Sequence, residues 1–208
     1  YKEFVTKSID ALQELYSINE SKAIAVRVLT HFLNVSDYEY LVEPNVIIPK
    51  PELKRLQGAL EELLASRPVQ YVLGYENFGG FRFNVCESVL IPRPETEELV
   101  RMIQHQWDSD RMSELKILDL CTGSGCIAHT LAAYFRKSQV IGCDLSDDAL
   151  KVAQEQNISE NRPLFFKWDV LAGPPDERDI ASSSSTLPDL EELDILVRTP
   201  PYACAKES

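Results

Sequence analysis

From residue 115 onward, short apolar runs alternate with segments in which apolar residues recur at helical spacing. This alternation predicts that strands and helices follow one another along the chain. Four short apolar runs are typical of buried parallel strands: residues 116–120, 139–143, 164–168 and 194–197. Two segments between them, residues 127–135 and 147–156, have helical spacing instead. This alternation predicts an α/β fold with a Rossmann-like parallel sheet, right-handed crossovers and ligands at the carboxyl ends of the strands.

The first third of the chain has a helical period throughout. Apolar residues from Phe4 to Leu15 predict one helix, Ser21 is a candidate cap for a second helix that ends near Leu33, and Pro51 begins a third through Ser66. Residues 42–49 are rich in proline and β-branched residues, which predicts an extended connection. We therefore expect residues 1–67 to form a small helical domain of the kind that docks a partner.

Residues 68–91 change to short extended runs separated by glycines. The runs are residues 70–73, 79–85 and 88–91. They predict a β-hairpin linker between the helical domain and residues 92–208. Acidic residues 95, 97 and 98 then open a helix that continues to about Trp107.

The chain's most informative stretch is residues 116–128, KILDLCTGSGCIA, in which an apolar strand is followed by a glycine turn and the start of a helix. Gly123 and Gly125 allow a tight turn with close backbone approach, and the helix start directs N–H groups at a ligand. Asp144 ends the next apolar run, about twenty residues further on, where a carboxylate can accept both ribose hydroxyls. The pattern predicts an adenosine-containing ligand, and Gly123-x-Gly125-x-x-Ala128 also fits an NAD site.

Two further segments follow predicted strands and so belong to the same edge of the sheet. Asp169 follows the third strand and could accept from an adenine amino group or serve as a loop or helix cap. After the fourth strand, Pro200 and Pro201 make a rigid turn before Tyr202, which suits a site that holds a planar group or simply ends the strand.

Composition excludes several other functions. The chain has 208 residues, 44% of them hydrophobic, which is enough for a substantial core, and no apolar run of transmembrane length. Its 33 acidic and 21 basic residues give a net charge of −12, which argues against a broad nucleic-acid surface. Five scattered cysteines without a C-x-x-C pair favour a reducing compartment, and three dispersed histidines give no metal site.

Several motifs, taken in order, resemble the HemK/PrmC family of release factor glutamine methyltransferases. They are RPVQYVLG at residues 67–74, FGG at 78–80, VLIPRPETE at 89–97, ILDLCTGSG at 117–125 and PPY at 200–202. The likeness covers the whole chain, and the stretch from Leu90 to Glu97 is far more specific than the glycine loop. It implies a class I methyltransferase fold that uses S-adenosylmethionine, without a metal, to methylate the Gly-Gly-Gln glutamine of peptide chain release factors.

The resemblance also implies a role for each site residue. Cys121, Thr122, Gly123, Ser124 and Gly125 would hold the methionine part of the cofactor. Asp144 would hold the ribose, and Asp169 with Val170 the adenine. Thr199, Pro200, Pro201 and Tyr202 would form the substrate side, with Thr199, Pro200 and Tyr202 as the catalytic residues.

The chain departs from the family pattern at two places. Thr199 stands where the family has asparagine, and a hydroxyl lacks the amide's combined acceptor and NH₂ donor. Losing one such orienting hydrogen bond typically costs on the order of 2–4 kcal/mol in the transition state. The family fold also continues with strands beyond position 208, so we expect a truncated sheet with an exposed edge.

Three alternatives stay open on sequence alone. The chain could be a catalytically impaired paralogue or truncated product, a methyltransferase acting on amino groups of nucleic acids, or an NAD oxidoreductase. The resemblance implies a monomer with a release factor as protein substrate, no direct nucleic-acid partner and no membrane. It implies a cytoplasmic location in a bacterium or a mitochondrial one in a eukaryote.

Overall fold

The computed structural model describes residues 1–173 and 192–198, in a chain that divides into two compact units, Tyr1–Gly74 and Tyr75–Ser208. The division lies between the predicted boundaries at residues 67 and 91. Residues 68–74 belong to the helical unit, whereas the hairpin belongs to the unit that contains the parallel sheet.

The first unit contains five helices among its residues: α1 (Lys2–Leu12), α2 (Ile18–Leu33), α3 (Asp37–Val42), α4 (Lys50–Leu64) and α5 (Val69–Leu73). The apolar faces of α1, α2 and α4 bury Leu12, Leu29 and Leu56 completely. Helix α2 begins one turn earlier than predicted, because Ser17 accepts a hydrogen bond from the Glu20 N–H at 3.3 Å. The predicted cap, Ser21, is instead buried inside the helix.

Two short helices correct the prediction of extended segments. Within the predicted connection at residues 42–49, only residues 43–49 are irregular, and α3 ends at Val42. That helix is fixed by a capping box, in which the Glu39 N–H donates to Ser36 Oγ at 3.1 Å and the Ser36 N–H donates back to the Glu39 carboxylate at 2.7 Å. Residues 70–73 form most of α5, which Gly74 terminates in the left-handed conformation, with φ of 76°.

The second unit opens with a β-hairpin, as predicted, although its first strand lies at residues 75–78, outside the predicted extended runs. Strands β1 (Tyr75–Phe78) and β2 (Phe81–Asn84) pair antiparallel through a turn at Gly79 and Gly80, both with positive φ. Residues 88–91 were predicted as a third extended run, and that prediction is wrong because they form a turn and an irregular stretch. Those residues become one side of the candidate site described below.

The remaining elements alternate as the hydrophobic pattern predicts. They are α6 (Pro94–Gln106), β3 (Lys116–Leu120), α7 (Cys126–Tyr134), β4 (Gln139–Asp144), α8 (Asp147–Glu155), β5 (Leu164–Lys167) and β6 (Ile195–Arg198). The four strands are parallel, in the order β5-β4-β3-β6. The prediction of a Rossmann-like parallel sheet is therefore confirmed.

Both faces of this sheet are buried, which explains why its strands are apolar runs. Alternate residues such as Ile117 and Val140 pack into one cluster with Leu131 of α7, while Leu118 and Ile141 pack into a second cluster. Each fully buried side chain of this size contributes roughly 1.5–3 kcal/mol. The packed sheet thus supplies a rigid support for the loops at its carboxyl edge.

Candidate functional site

A cavity of about 550 Å³ lies at the carboxyl ends of β3, β4 and β5. Its lining comes from the turn before α6, the start of α6, the glycine loop and the loops after β4 and β5. The lining residues are 88–93, Glu95, Thr96, 121–124, Cys126, Ile127, 144–146, Ala149 and 168–171. A cavity of this size accommodates a nucleoside-sized ligand at the edge where parallel sheets bind nucleotides.

The glycine loop, residues 121–125, is held in place by backbone hydrogen bonds. The Thr122 N–H donates to the Cys143 carbonyl and the Gly125 N–H donates to the Thr122 carbonyl, both at 2.9 Å. Gly125 has φ of 77°, and a Cβ there would lie 3.0 Å from the Cβ of Ala153 and 3.2 Å from the ring of Phe165. Glycine is therefore required at this position both for the backbone conformation and for the packing.

Cys121 is an unusual first residue for such a loop. It has φ of 59°, a left-handed conformation that residues other than glycine seldom adopt. Its half-buried thiol lines the cavity, and burial together with the nearby Asp144 carboxylate raises its pKa. The thiol is therefore protonated at neutral pH, so it offers the ligand a neutral surface.

Asp144 joins the glycine loop to the following loop. Its carboxylate accepts the Gly123 N–H at 2.9 Å through Oδ2 and the Ser146 N–H at 3.0 Å through Oδ1. A carboxylate offers about four acceptor positions, so two ribose hydroxyls can still be accepted. This arrangement of acceptors fits the ribose hydroxyls of an adenosine ligand.

Beneath the loop lies a buried acid, Asp119. Its Oδ2 accepts the Thr122 hydroxyl at 2.6 Å, while Oδ1 makes no hydrogen bond of good geometry to any part of the chain that the structure describes. Burial raises the pKa of Asp119 to about 7, although the Thr122 hydroxyl and the Ala128 amide oppose that shift. Asp119 thus supports the loop from below.

The loop after β5 supplies an aromatic side to the cavity. Trp168 stacks on Phe166 with 6.1 Å between ring centroids, and its indole N–H donates to the Gly173 carbonyl at 2.8 Å. Asp169 Oδ1 accepts the Leu171 N–H at 3.0 Å, so this carboxylate also organises its own turn. Residues 168–171 therefore present a fixed, largely apolar surface that suits an adenine ring.

Another part of the cavity's lining is formed by the turn before α6 and the start of that helix. Arg93 is the N-cap residue of α6, and with Glu95 and Thr96 it lines the same cavity as the glycine loop. This is the stretch from Leu90 to Glu97 that carries the family resemblance. Its position beside the cavity gives a physical reason for its distinctive sequence.

The structure brings together most of the residues predicted to bind the cofactor. Cys121, Thr122, Gly123, Ser124, Asp144, Asp169 and Val170 line the cavity, and Gly125 supports the turn behind it. The substrate-side residues Thr199, Pro200, Pro201 and Tyr202 lie outside the described residues. Arg198, which precedes them, pairs in register with Leu120 at the carboxyl end of β3.

Sequence reasoning missed Trp168 and the Arg93 to Thr96 segment as parts of the site. Trp168 was predicted to be the last residue of a strand. An aromatic residue directly before an acid at the end of a strand was a signal that could have identified it. Residues 93–96 were given no part in the site, and Glu95 was interpreted, with Glu97 and Glu98, as stabilising the helix start. Their role could be inferred only from the resemblance, because no local pattern places a helix start beside a distant loop.

Residues 1–173 and 192–198 contain neither a metal-binding cluster nor a membrane-spanning helix. No group of three or more histidine, cysteine or acidic side chains in these ranges could hold a metal ion. No helix within the same ranges is both long enough and apolar enough to cross a bilayer.

Comparisons with known proteins match both parts of the chain. The model of the PrmC N-terminal domain matches residues 3–74, and that of a methyltransferase domain matches residues 117–195. A release factor glutamine methyltransferase from Flavobacterium psychrophilum is 33% identical over 202 residues, covering 97% of this chain and 67% of the relative. That from Bacteroides thetaiotaomicron is 30% identical over 197 residues, covering 95% and 66%.

A third relative is more similar over a shorter stretch. The release factor glutamine methyltransferase of Lactococcus lactis is 38% identical over 162 residues, which cover 77% of this chain and 53% of that protein. The chain thus spans about two thirds, or less, of the curated relatives it matches. Both domain matches and these relatives agree with the motifs and the cavity, and the chain belongs to the HemK/PrmC methyltransferase family.

Proposed function

We propose that the chain transfers a methyl group from S-adenosylmethionine to the side-chain amide nitrogen of the glutamine in the Gly-Gly-Gln motif of a peptide chain release factor. One observation carries the proposal. The cavity at the carboxyl ends of β3, β4 and β5 has a carboxylate placed to accept ribose hydroxyls, in a chain whose relatives are named release factor glutamine methyltransferases.

The described residues fit the cofactor by their chemistry. Asp144 would accept ribose hydroxyls, the turn with Trp168 and Val170 would hold the adenine, and residues 121–125 would hold the methionine part. The cofactor supplies an electrophilic sulfonium methyl group. The residues around it exclude water and fix the direction from which an acceptor nitrogen approaches.

The acceptor poses the harder chemical problem. An amide nitrogen is a weak nucleophile because its lone pair is delocalised into the carbonyl, so the protein must hold it in line with the methyl group. In this family an Asn-Pro-Pro-Tyr turn accepts the amide hydrogens, and residues 199–202 are the corresponding segment here. We propose that Thr199 and the neighbouring backbone orient the amide, with Tyr202 beside the substrate.

Thr199 favours a second candidate function, a family member that binds cofactor or release factor without efficient turnover. A hydroxyl reaches less far than an asparagine amide and cannot reproduce its hydrogen-bond pattern. The amino-methylation of nucleic acids is less well supported, since the net charge of −12 disfavours phosphate binding.

Thr199→Asn is the decisive substitution. It is expected to raise transfer of labelled methyl from S-adenosylmethionine to a release factor by roughly one hundredfold or more, which corresponds to the recovery of one orienting hydrogen bond. The assay compares the chain and the variant on the same factor. The control is a release factor whose motif glutamine is replaced by glutamate, which should accept no label.

The outcomes separate the two candidates. High activity in the unsubstituted chain shows that threonine suffices, whereas activity in the variant alone identifies a disabled member of the family. If neither protein transfers label, the proposed substrate is wrong for this chain.

A further inference from the structure

Gln156, directly after α8, is one of the few polar side chains buried in the second unit, with 2% of its surface exposed. Its amide makes three hydrogen bonds. Nε2 donates to the Asn84 carbonyl at 2.9 Å and to the Ser124 carbonyl at 3.3 Å, while Oε1 accepts the Asn84 N–H at 3.0 Å. Both amide hydrogens and the amide oxygen therefore have partners within the fold.

One partner lines the cavity, and the other shortly precedes a segment that lines it. Ser124 is part of the glycine loop and lines the cavity itself. Asn84 ends β2, and only a few residues later the chain forms the turn at residues 88–93 that also lines the cavity. One side chain thus links the glycine loop to the end of β2, from which the chain continues into residues 88–93, although neither Gln156 nor Asn84 lines the cavity.

Local packing makes this link rigid. Ser124 is buried, with 2% of its surface exposed, and the adjacent Gly125 packs so closely on Ala153 of α8 that a Cβ would lie 3.0 Å from it. Gln156 follows Ala153 by three residues, and its N–H donates to the Ala153 carbonyl. Helix α8 therefore fixes the glycine loop by packing, and Gln156 extends that support to β2 by hydrogen bonds.

We propose that Gln156 is a positioning residue that sets the separation between the glycine loop and residues 88–93, and so determines the affinity for the cofactor. This inference rests on the proposed function, because it takes the cavity to be the S-adenosylmethionine site. Gln156 acts through the backbone of Asn84 and Ser124 and touches no reacting atom.

The test uses Gln156→Leu with Asn161→Leu as a matched control. Asn161 Nδ2 also donates to backbone carbonyls, those of Ala132, Phe135 and Ser138, at 3.0–3.3 Å, but at the far end of α7 from the cavity. Both variants lose hydrogen bonds to backbone and should lower the Tm. Calorimetric titration with S-adenosylhomocysteine should show a Kd at least tenfold higher for Gln156→Leu, and within twofold of the parent for Asn161→Leu.

Hydrogen exchange measures local opening of these two segments, which a loss of overall stability alone would not change. Below the Tm, amides of residues 85–93 and 121–125 should exchange faster in Gln156→Leu than in Asn161→Leu. If Gln156→Leu does not fold, Gln156→Asn replaces it, because it keeps the amide but is one methylene too short to reach both partners. That variant should also raise the Kd, by severalfold.

The results separate this inference from the function on which it rests. If the parent chain binds S-adenosylhomocysteine and the Gln156 variants bind it equally well, the positioning role is wrong and the cofactor site stands. If the parent chain does not bind S-adenosylhomocysteine at all, the cofactor site itself is overturned, and the positioning role with it.

Discussion

Asp119 couples the protonation of a buried carboxyl to the stability of the glycine loop. Its native pKa is about 7, above the value of about 3.9 for an exposed aspartate, so the native state holds the proton more tightly than the unfolded state. Between about pH 4 and pH 7 the free energy of unfolding therefore decreases as pH rises. The penalty of the buried charge is complete above about pH 8 and absent below about pH 4.

Asp119→Asn should remove this dependence. The variant's stability relative to the parent should increase by on the order of 2–4 kcal/mol between pH 4 and pH 8, because only the parent must ionise a buried group. Urea unfolding at four pH values measures the difference. If the free energies of unfolding of the two proteins change in parallel with pH, Asp119 does not titrate in this range.

His129 should give the opposite dependence. It is 3% exposed, its Nε2–H donates to the Ala153 carbonyl at 2.8 Å, and burial lowers its pKa. Stability should therefore be lost as pH falls below about 7, where the unfolded state gains a proton that the native state resists. In His129→Leu this loss should disappear from unfolding curves measured between pH 7 and pH 5.

Residue patterns on one strand or loop could be predicted from the sequence, and contacts between distant segments could not. Asp144 and the glycine loop were predicted because their spacing is fixed by one βαβ unit. The burial of His129 could not be predicted, since it depends on the rings of Phe83 and Phe165 packing around it. Gln156 is similar, because its partner Asn84 is 72 positions away.

At the scale of elements, the pairing of β4 with β5 leaves no room for a side chain at Gly142. A Cβ there would lie 2.6 Å from the Phe165 ring and 2.8 Å from the Thr122 hydroxyl. Gly142→Ala should therefore destabilise the chain by about 1–3 kcal/mol through overpacking. It should also weaken binding of S-adenosylhomocysteine, because Thr122 belongs to the glycine loop, which we propose to hold the cofactor.

Gly58→Ala is the matched control for that substitution. Gly58 lies within α4, and a Cβ there meets nothing within 4 Å, so alanine should stabilise the helix by roughly 0.5–1 kcal/mol. Denaturation with and without S-adenosylhomocysteine measures both effects. Equal stability changes in the two variants would contradict the packing argument.

Helices and strands were predicted correctly where the apolar pattern was long enough to show a helical or a strand repeat. The strands of the parallel sheet were predicted within about one residue of their observed ends, and the helices between them also. The short helices α3 and α5 were missed because six or five residues cannot show a helical repeat. Their ends are decided by Ser36 and Gly74, whose capping roles depend on backbone conformation.

At the scale of the whole molecule, the cavity predicts which ligand stabilises the chain. S-Adenosylhomocysteine at one hundred times its Kd should add about 2.7 kcal/mol to the free energy of unfolding and raise the Tm by several degrees. NAD at the same concentration should leave the Tm unchanged. A thermal shift with NAD alone would instead support the dinucleotide interpretation of the glycine loop.

The class of the fold could be predicted from alternating periods, but the order of the strands could not. Alternation is compatible with several sheet orders, and the observed β5-β4-β3-β6 order depends on which strands pair across crossovers. The family resemblance implied the class of the fold, and no strand order was predicted from it. It could not supply the cavity's outline, which depends on turns such as residues 88–93 that follow no hydrophobic pattern.

The position of β6 beside β3 has a consequence for how the protein is made. The Lys116 N–H donates to the carboxylate of Asp194, 78 residues later, so one edge of β3 has no strand beside it until the ribosome has released that segment. Contacts between such distant residues form slowly, because a long loop must close first. A nascent chain that already contains the glycine loop therefore passes through an interval in which one edge of an apolar strand is unpaired. Slow translation of the intervening segment would prolong this interval, and with it the exposure of that edge to aggregation or to chaperones.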